Sequence, residues 1–251
     1  MITDVRGRPF RFAEAPRRVV SLVPSLTETL FDLGAGQTVV GATEFCIHPE
    51  TLPCPRVGGT KNPDVERIRH LQPDLVHMNL EENLRRHAEE IERFAPVFAT
   101  EPKSVSGVRD LITTLGAIHD RAGGAARLVS ALDEERGLLP KKAFTFACAI
   151  WKKPWMWCGG DTYVSSLVEA AGGENVLRHR HRYPQMDLDC LASLQPEVIF
   201  LPDEPYAFSA ADAAAVAEAT GSRVIGPFPG HLFTWHGSRT ILGLRFLRSA
   251  G

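Results

Sequence analysis

Two six-residue segments of this chain, 123 positions apart, are almost the same. Residues 71–76 read Leu-Gln-Pro-Asp-Leu-Val, and residues 194–199 read Leu-Gln-Pro-Glu-Val-Ile. A repeat at this separation predicts two similar lobes, because each lobe of roughly a hundred residues can bury a core of its own.

The residues around each segment follow the same order in both halves. An apolar strand, a helix, a short amphipathic helix, a buried strand, a further helix and a short strand come in turn. The predicted strands lie at 19–23, 75–78 and 97–99 in the first half and at 144–150, 198–201 and 223–225 in the second. The sequence therefore predicts an α/β fold of two similar lobes, each a parallel sheet covered by helices. A ligand cleft between the lobes, at the carboxyl ends of the strands, is expected.

Two helical segments separate the halves. They span 105–119 and 125–138, and Pro140 ends the second. We expect the second to join the lobes as a long helix. The predicted organisation is an N-terminal lobe at 1–103, a helical connection at 104–140 and a C-terminal lobe at 141–251.

Composition limits the partners and the compartment. A formal net charge of -2 argues against nucleic acid as a partner, and the basic run 178–182 is either a solvated loop or an anion or metal contact. Five cysteines without a Cys-x-x-Cys pair favour a reducing compartment. No apolar run of signal-peptide length begins the chain. We therefore expect a cytoplasmic protein for the chain as written, and a periplasmic or cell-surface protein if the chain was trimmed.

All four tryptophans lie in two short segments, with Trp151, Trp155 and Trp157 in one and Trp235 in the other. Core filling explains any single tryptophan. Three within seven residues, mixed with lysines and a proline, are hard to bury together. Flat aromatic walls suit a large planar or amphipathic small molecule.

Polar loops with Gly and Pro are the contribution of the first half. They lie at 45–49, 58–63 and 79–83, after or between predicted strands, and are suited to hydrogen bonding a ligand. The glycines at 58–59 lack the spacing of a phosphate-binding loop.

Two other functions remain open from the residues alone. Cys46 and His48, with His236 or Asp161, offer ligands for a metal ion or a metal chelate. An enzyme acting on a small substrate in the same cleft would use Cys46, Glu81 or Asp161. Residues two apart on an extended segment point to opposite faces, which argues against a direct Cys46–His48 catalytic dyad. We predict no catalytic residue, no bound metal and no required cofactor.

Several segments resemble a known family. Residues 18–28, 39–41, 62–66, 71–76 and 171–176 are similar to the helical-backbone (class III) substrate-binding proteins of ABC transporters for cobalamin, haem and iron-siderophores, most of all to the cobalamin branch. The resemblance covers about residues 17–245. It implies non-catalytic binding of a corrinoid such as cobalamin, or of another tetrapyrrole, by a monomer that meets a transporter membrane subunit. The missing export signal points to a signal-less subgroup.

The resemblance also implies roles for single residues. One acidic residue per lobe would dock onto the transporter, at Glu66 and at Asp189, where the family usually has glutamate. Aromatic and polar residues of the loops would face the ligand. The predicted ligand-binding residues are Phe45, Cys46, His48, Thr60, Lys61, Asn62, Asn79, Glu81, Asn83, Trp151, Trp155, Trp157, Asp161, Tyr183, Trp235, His236 and Arg239.

Overall fold

A computed structural model describes residues 1–140 and 142–250 of the chain. It divides into two compact units. Unit 1 contains Met1–Pro102 and Arg109–Ala131, and unit 2 contains Lys103–Val108 and the chain from Leu132 onward. The predicted connection at 104–140 is thus distributed over both units. The predicted ends of the C-terminal lobe, Lys141 and Gly251, lie outside the described residues.

Unit 1 is built on a four-stranded parallel sheet. Its elements are the hairpin β1 (Ile2–Thr3) and β2 (Pro9–Phe10), then β3 (Val19–Ser21), α1 (Pro24–Asp32), β4 (Val39–Ala42), α2 (Val65–His70), β5 (Leu75–Asn79), α3 (Arg85–Ile91) and β6 (Val97–Thr100). The sheet order is β4-β3-β5-β6, and all three pairings are parallel. Two helices follow, α4 (Val105–Ile118) and α5 (Ala122–Gly137).

Unit 2 repeats this arrangement with additions. Its elements are β7 (Phe144–Trp151), β8 (Met156–Trp157), α6 (Tyr163–Glu169), β9 (Gly173–Asn175), α7 (Leu188–Ser193), β10 (Val198–Pro202), α8 (Ala210–Thr220), β11 (Arg223–Phe228), α9 (His231–Thr234) and α10 (Thr240–Ala250). Strands β9, β7, β10 and β11 pair in parallel in that order, as β4, β3, β5 and β6 do in unit 1. Strand β8 pairs antiparallel with the end of β7. The predicted α/β class with two similar units is confirmed, whereas the hairpin, β8, β9, α9 and α10 were not predicted.

The repeated six-residue segment has the same local structure in both units. Leu71 and Leu194 end α2 and α7, and the glutamine after each has a left-handed backbone, with φ of 46° at Gln72 and 51° at Gln195. Such a residue turns the chain out of a helix. The following strand, β5 or β10, then enters the middle of its sheet.

The acidic residue of each repeat joins its strand to the neighbouring one. The Asp74 carboxylate accepts hydrogen bonds from the backbone N–H groups of Arg17, at 2.7 Å, and Arg18, at 3.0 Å. The Glu197 carboxylate accepts one from the N–H of Thr145 at 2.6 Å. Both acceptors satisfy backbone donors at the start of the adjacent parallel strand, which no ladder bond would otherwise reach. The acidic position of the repeat is therefore structural.

Both faces of the first sheet are buried. Val20 and Leu22 pack on one face with Ile68 and Ile91, and Val19 packs on the other with Leu30. Side chains along a strand alternate between faces, so helices must cover both sides of a parallel sheet. Within residues 1–140 and 142–250, no helix is long and apolar enough to cross a membrane.

Candidate ligand-binding surfaces

Three loops of unit 1 meet at the carboxyl ends of β3, β4 and β5, and we call them the polar loop cluster (residues 43–48, 58–62 and 79–83). Asn83, which is 6 % exposed, ties the second and third of these loops to the end of β3. Its amide nitrogen donates to the carbonyl of Leu22 at 3.0 Å and of Thr60 at 2.9 Å, and its amide oxygen accepts from the Asn79 N–H at 2.8 Å. A fully bonded buried amide specifies one arrangement of the loops around it.

The predicted polar contacts Asn79 and Asn83 are therefore part of the loop framework. Asn79 is buried, and its side-chain oxygen accepts from the backbone N–H of Glu81 at 2.8 Å. Lys61 donates from Nζ to the carbonyl of Glu81, which ties the second loop to the third. These bonds bring Thr60, Lys61, Asn79, Glu81 and Asn83 together, and their predicted contact with a ligand stays a prediction.

Phe45 is the aromatic member of three large apolar side chains that this cluster exposes, with 57 % of its surface accessible; the other two are Ile47 and Leu80. Its ring lies over Gly59, where an added β-carbon would stand 3.2 Å from the ring and 2.4 Å from the Asn62 side-chain oxygen. Glycine is thus required beneath the ring, because any larger residue would displace Phe45 and Asn62.

Cys46 does not reach this surface. Its side chain is fully buried, with Sγ 3.2 Å from Thr27 Oγ1 and 3.1 Å from Thr43 Oγ1. Within the described parts of the chain, no group of three or more His, Cys, Asp or Glu side chains could hold a metal ion. This geometry argues against the predicted ligand contact of Cys46 and against a metal site or nucleophile built on Cys46 and His48, because its sulfur is enclosed by the core.

Unit 2 contains the aromatic cluster, which we define as Trp151, Trp155, Trp157, Tyr206 and Phe208. Trp155 stacks on Trp157, with ring centroids 5.5 Å apart, and on Phe208 at 5.7 Å. Tyr206 links Phe208, at 4.8 Å, to Trp151, at 5.3 Å. The rings come from the loops after β7 and β10, so the cluster lies at the carboxyl end of the second sheet.

Burial divides the three predicted tryptophans. Trp151 is 41 % exposed, Trp155 is half-buried, and Trp157 is fully buried with its indole N–H donating to the carbonyl of Met186 at 2.8 Å. The burial of Trp157 argues against its predicted ligand contact and makes it a core residue. Of the three rings only Trp157 is fully buried, in agreement with the expectation that they are hard to bury together, and Trp155 stacks on Trp157 and on Phe208.

Lys152, one of the two lysines in this loop, pairs with a nearby carboxylate. Lys152 Nζ lies 5.7 Å above the Trp155 ring and forms an ion pair with Asp212 at the start of α8. The hydrogen bond from Lys152 lowers the pKa of the Asp212 carboxyl to about 2. The pair therefore anchors the tryptophan loop to α8.

The second tryptophan segment is joined to the aromatic cluster through the loop after β10. Glu204 accepts a hydrogen bond from Thr234 Oγ1 at 2.8 Å and another from the Trp235 side chain. Arg239 is 6 % exposed, and its guanidinium lies 5.7 Å from the Trp235 ring. His236 is buried against Tyr163, and burial lowers its pKa to about 4, so its imidazole is neutral at pH 7.

Asp161 and Tyr183 are partly buried and lie in two contacting loops of unit 2, one before α6 and one between β9 and α7. The Asp161 carboxylate accepts from the backbone N–H of Arg182 at 2.6 Å, and the Arg182 guanidinium lies 5.5 Å from the Tyr183 ring. The backbone of the basic run passes over Gly160, where a β-carbon would stand 2.2 Å from the Arg178 carbonyl oxygen. Asp161 thus organises the loop that carries the basic run.

The predicted docking residues occupy equivalent places. Glu66 and Asp189 are exposed and are each the second residue of their helices, α2 and α7, which begin after the capping residues Asp64 and Asp187. Glu66 also pairs with Arg69 at 3.4 Å. The equivalence follows from the repeat itself.

Three residues of the candidate surface were missed in the sequence, namely Glu204, Tyr206 and Phe208. The repeat contained a signal for them. The loop at 79–83 corresponds, 123 positions on, to residues 202–206. The loop after β10 could therefore have been predicted by analogy with the loop after β5.

Comparisons with known proteins agree with this architecture. A vitamin B12-binding protein of Vibrio campbellii is 26 % identical over 200 residues, covering 75 % of this chain and 72 % of the relative. An uncharacterized ABC transporter substrate-binding lipoprotein of Bacillus subtilis, YvrC, is 25 % identical over 216 residues, covering 80 % and 68 %. The crystal structure of the periplasmic haem-binding protein HutB of Vibrio cholerae superposes with a TM-score of 0.80 at 17 % identity, covering 93 % of this chain and 98 % of HutB, and shares the fold.

The predicted cytoplasmic location gains no support from these comparisons, because the Bacillus subtilis relative is described as a lipoprotein and HutB as periplasmic. A family model described as periplasmic binding protein matches residues 19–219. The match includes both sheets up to α8 and the aromatic cluster. The chain belongs to the periplasmic binding protein family.

Proposed function

We propose that this protein binds a large tetrapyrrole-type metal chelate, with a corrinoid such as cobalamin as the first candidate, and delivers it to an ABC transporter without catalysing a reaction. The observation that carries the proposal is the aromatic cluster, which ends in the 41 % exposed ring of Trp151. The Trp151 ring is held by an edge-to-face contact with Tyr206, and a held ring offers flat apolar area with little loss of conformational entropy on binding.

The polar loop cluster of unit 1 supports the proposal independently. Phe45 offers a second exposed ring, and Lys61 and Asn62 lie in the loop beside it. A corrinoid has a broad apolar ring system edged by amide groups, so aromatic contact area and hydrogen-bonding side chains are both needed. The hydrogen bonds of Asn83 hold this surface in shape before a ligand arrives.

The names of the relatives narrow the ligand class. The curated relatives include several named as vitamin B12-binding proteins, and the structural neighbours include haem-binding proteins. Corrinoids and haem share a flat macrocycle around a metal ion. The exposed aromatic side chains suit that shared feature.

A binding experiment tests the ligand class. Purified protein is titrated with cobalamin, cobinamide and haem, with affinity measured by equilibrium dialysis and ligand absorbance. We expect saturation by at least one of these at one ligand per chain. Absence of binding by all three would overturn the proposal.

Variants locate the site. Trp151→Ala should weaken binding by roughly 5- to 30-fold, equivalent to about 1–2 kcal/mol, through loss of an aromatic contact. Leu194→Ala is the matched control, because Leu194 is 40 % exposed in the same unit but follows α7, before the amino end of β10. Trp155→Ala is less informative, since removing a ring stacked on Trp157 and Phe208 disturbs the core. Equal affinity of Trp151→Ala and Leu194→Ala would exclude Trp151 from the site.

Docking on the transporter is a separate part of the proposal. Charge reversal of Glu66 and Asp189 to Arg should reduce ligand-stimulated ATP hydrolysis by the reconstituted transporter while ligand affinity stays unchanged, because both carboxylates are exposed on helix starts. Glu218→Arg, at an exposed position on α8, is the control. Equal ATP hydrolysis with all variants would contradict docking through these two acids.

A further inference from the structure

Cys148 and Cys158 lie opposite each other where β7 and β8 pair. The antiparallel register places Ala149 opposite Trp157, so the next pair outward is Cys148 and Cys158. The backbone N–H of Cys158 donates to the carbonyl of Cys148 at 2.8 Å. This bond is one of the two that a hydrogen-bonded pair of an antiparallel ladder exchanges.

The side chains of such a pair point to the same face of the sheet. Both cysteine side chains are fully buried, Cys148 Sγ lies 3.7 Å from the Ala149 carbonyl oxygen, and burial together with the adjacent Cys158 thiol raises the pKa of the Cys148 thiol. The Cα atoms of a hydrogen-bonded antiparallel pair are about 5.5 Å apart, within the range of roughly 4.4–6.8 Å that a disulfide spans. The backbone therefore needs little movement to accept a bond between the sulfurs.

The other cysteines have different surroundings. Cys46 contacts two threonine hydroxyls, Cys54 is partly exposed, and Cys190 is exposed on α7. All five are reduced in this structure. The pairing of two buried thiols on adjacent strands is thus specific to Cys148 and Cys158.

We propose that Cys148 and Cys158 form a disulfide when the protein folds in an oxidising compartment. Two S–H bonds break, one S–S bond forms, and two protons and two electrons pass to a disulfide oxidant such as oxidised glutathione, which becomes two thiols. Because both sulfurs are buried in the folded state, the exchange takes place while the β7–β8 loop is open during folding. The bond closes a loop from 148 to 158 that carries Trp151, Trp155 and Trp157.

This disulfide would constrain the aromatic cluster at its base. The loop leaves the sheet at the end of β7 and returns through β8, so a covalent bond between the two strands fixes both ends of the loop. The constraint needs no ligand. It can therefore be tested separately from the proposed binding function.

The test counts thiols. Reduced protein is refolded with a mixture of oxidised and reduced glutathione, denatured without reductant, and titrated with a thiol reagent, and a non-reduced peptide map locates the bond. We expect three free thiols in place of the five in the sequence, and a linked pair of peptides containing Cys148 and Cys158. Five free thiols, or a bond between any other two cysteines, would overturn the proposal.

Two variants sharpen this result. Cys190→Ser should still lose two thiols on oxidation, whereas Cys148→Ser should lose none. The wild-type peptide map decides the question even if Cys148→Ser fails to fold. The oxidised wild type should also melt about 5 °C above the reduced form, because closing the loop restricts the unfolded chain. Equal melting temperatures would show that the bond does not constrain the folded loop as proposed.

Discussion

The two units share a strand order but use the carboxyl ends of their sheets differently. In unit 1, side-chain amides bind backbone groups and tie the loops at 58–62 and 79–83 to the end of β3, with Phe45 exposed in the neighbouring loop. In unit 2, Trp155 stacks on Trp157 and on Phe208 at the same position, and Tyr206 links these rings to Trp151, the exposed member. A single topology can therefore hold its loops either by hydrogen bonds or by ring stacking, and the loop residues decide which.

Of the changes considered, removing the side-chain amide of Asn83 should have the largest effect on the free energy of unfolding. Asn83→Ala deletes three hydrogen bonds between buried groups and should lower the free energy of unfolding by about 3 kcal/mol. Asn83→Asp retains the acceptor for the Asn79 N–H but loses both donors. If the carboxylate is charged, the loss in the free energy of unfolding should be at least as large as for Asn83→Ala, because the charge is buried without a partner. Urea unfolding followed by circular dichroism measures the change.

Asn175 supplies the matched control in unit 2. Its amide donates to the Cys158 carbonyl at 3.0 Å and to Ser165 Oγ at 2.9 Å. Asn175→Ala should cost a similar free energy but leave amide hydrogen exchange in the polar loop cluster unchanged. Faster exchange in that cluster with Asn175→Ala, or unchanged exchange there with Asn83→Ala, would contradict the view that Asn83 organises the cluster.

A buried histidine pair makes unit 1 the more acid-sensitive of the two. His77 on β5 and His119 after α4 lie with their Nε2 atoms 2.9 Å apart. Burial lowers the pKa of both, to about 4 for His119, where the charge of Asp74 acts in the opposite direction and that of Arg121 in the same direction. In unit 2, burial lowers the pKa of His236 to about 4.

The direction in which stability changes with pH follows from proton uptake by the unfolded chain. Its histidines titrate near pH 6.5, so stability present above that pH is lost as pH falls toward 4. His119 alone should contribute a loss on the order of 3 kcal/mol between pH 7 and pH 4. His119→Gln should reduce the pH dependence of urea unfolding, whereas His70→Gln, at an exposed position, should leave it unchanged. An identical pH dependence in wild type and His119→Gln would refute this account.

Substitution of the acidic residues of the repeat should have the smallest effect on stability. Asp74 accepts two backbone N–H bonds and Glu197 accepts one, all at exposed sites. Asp74→Asn should destabilise by about 1 kcal/mol and Glu197→Gln by less, because the neutral amides still present one acceptor. Thermal unfolding of the two variants side by side measures the difference. A larger loss from Glu197→Gln would reverse the proposed ranking.

Local patterns were sufficient for much of the fold. The apolar runs, the amphipathic helices and the Leu-Gln-Pro-acid repeat predicted β3, β5, β7 and β10 and the helices before β5 and β10, because these signals depend on residues close together in the chain. The short strands β8 and β9 were missed, since two or three residues carry no periodicity. The same limit applies to the hairpin of β1 and β2.

The chemistry of the site depended on contacts between distant residues. Trp157 and Cys46 were predicted to contact the ligand, yet the structure encloses both. Residue type indicates which interactions a side chain can make, and packing determines which one it does make. The sequence was enough for the α/β class, the twofold repeat and the family. Only the tertiary structure could show that Trp151 and Phe45 are exposed, that Asn83 ties two loops to the end of β3 and that Cys148 lies opposite Cys158, because each depends on segments that meet only after folding.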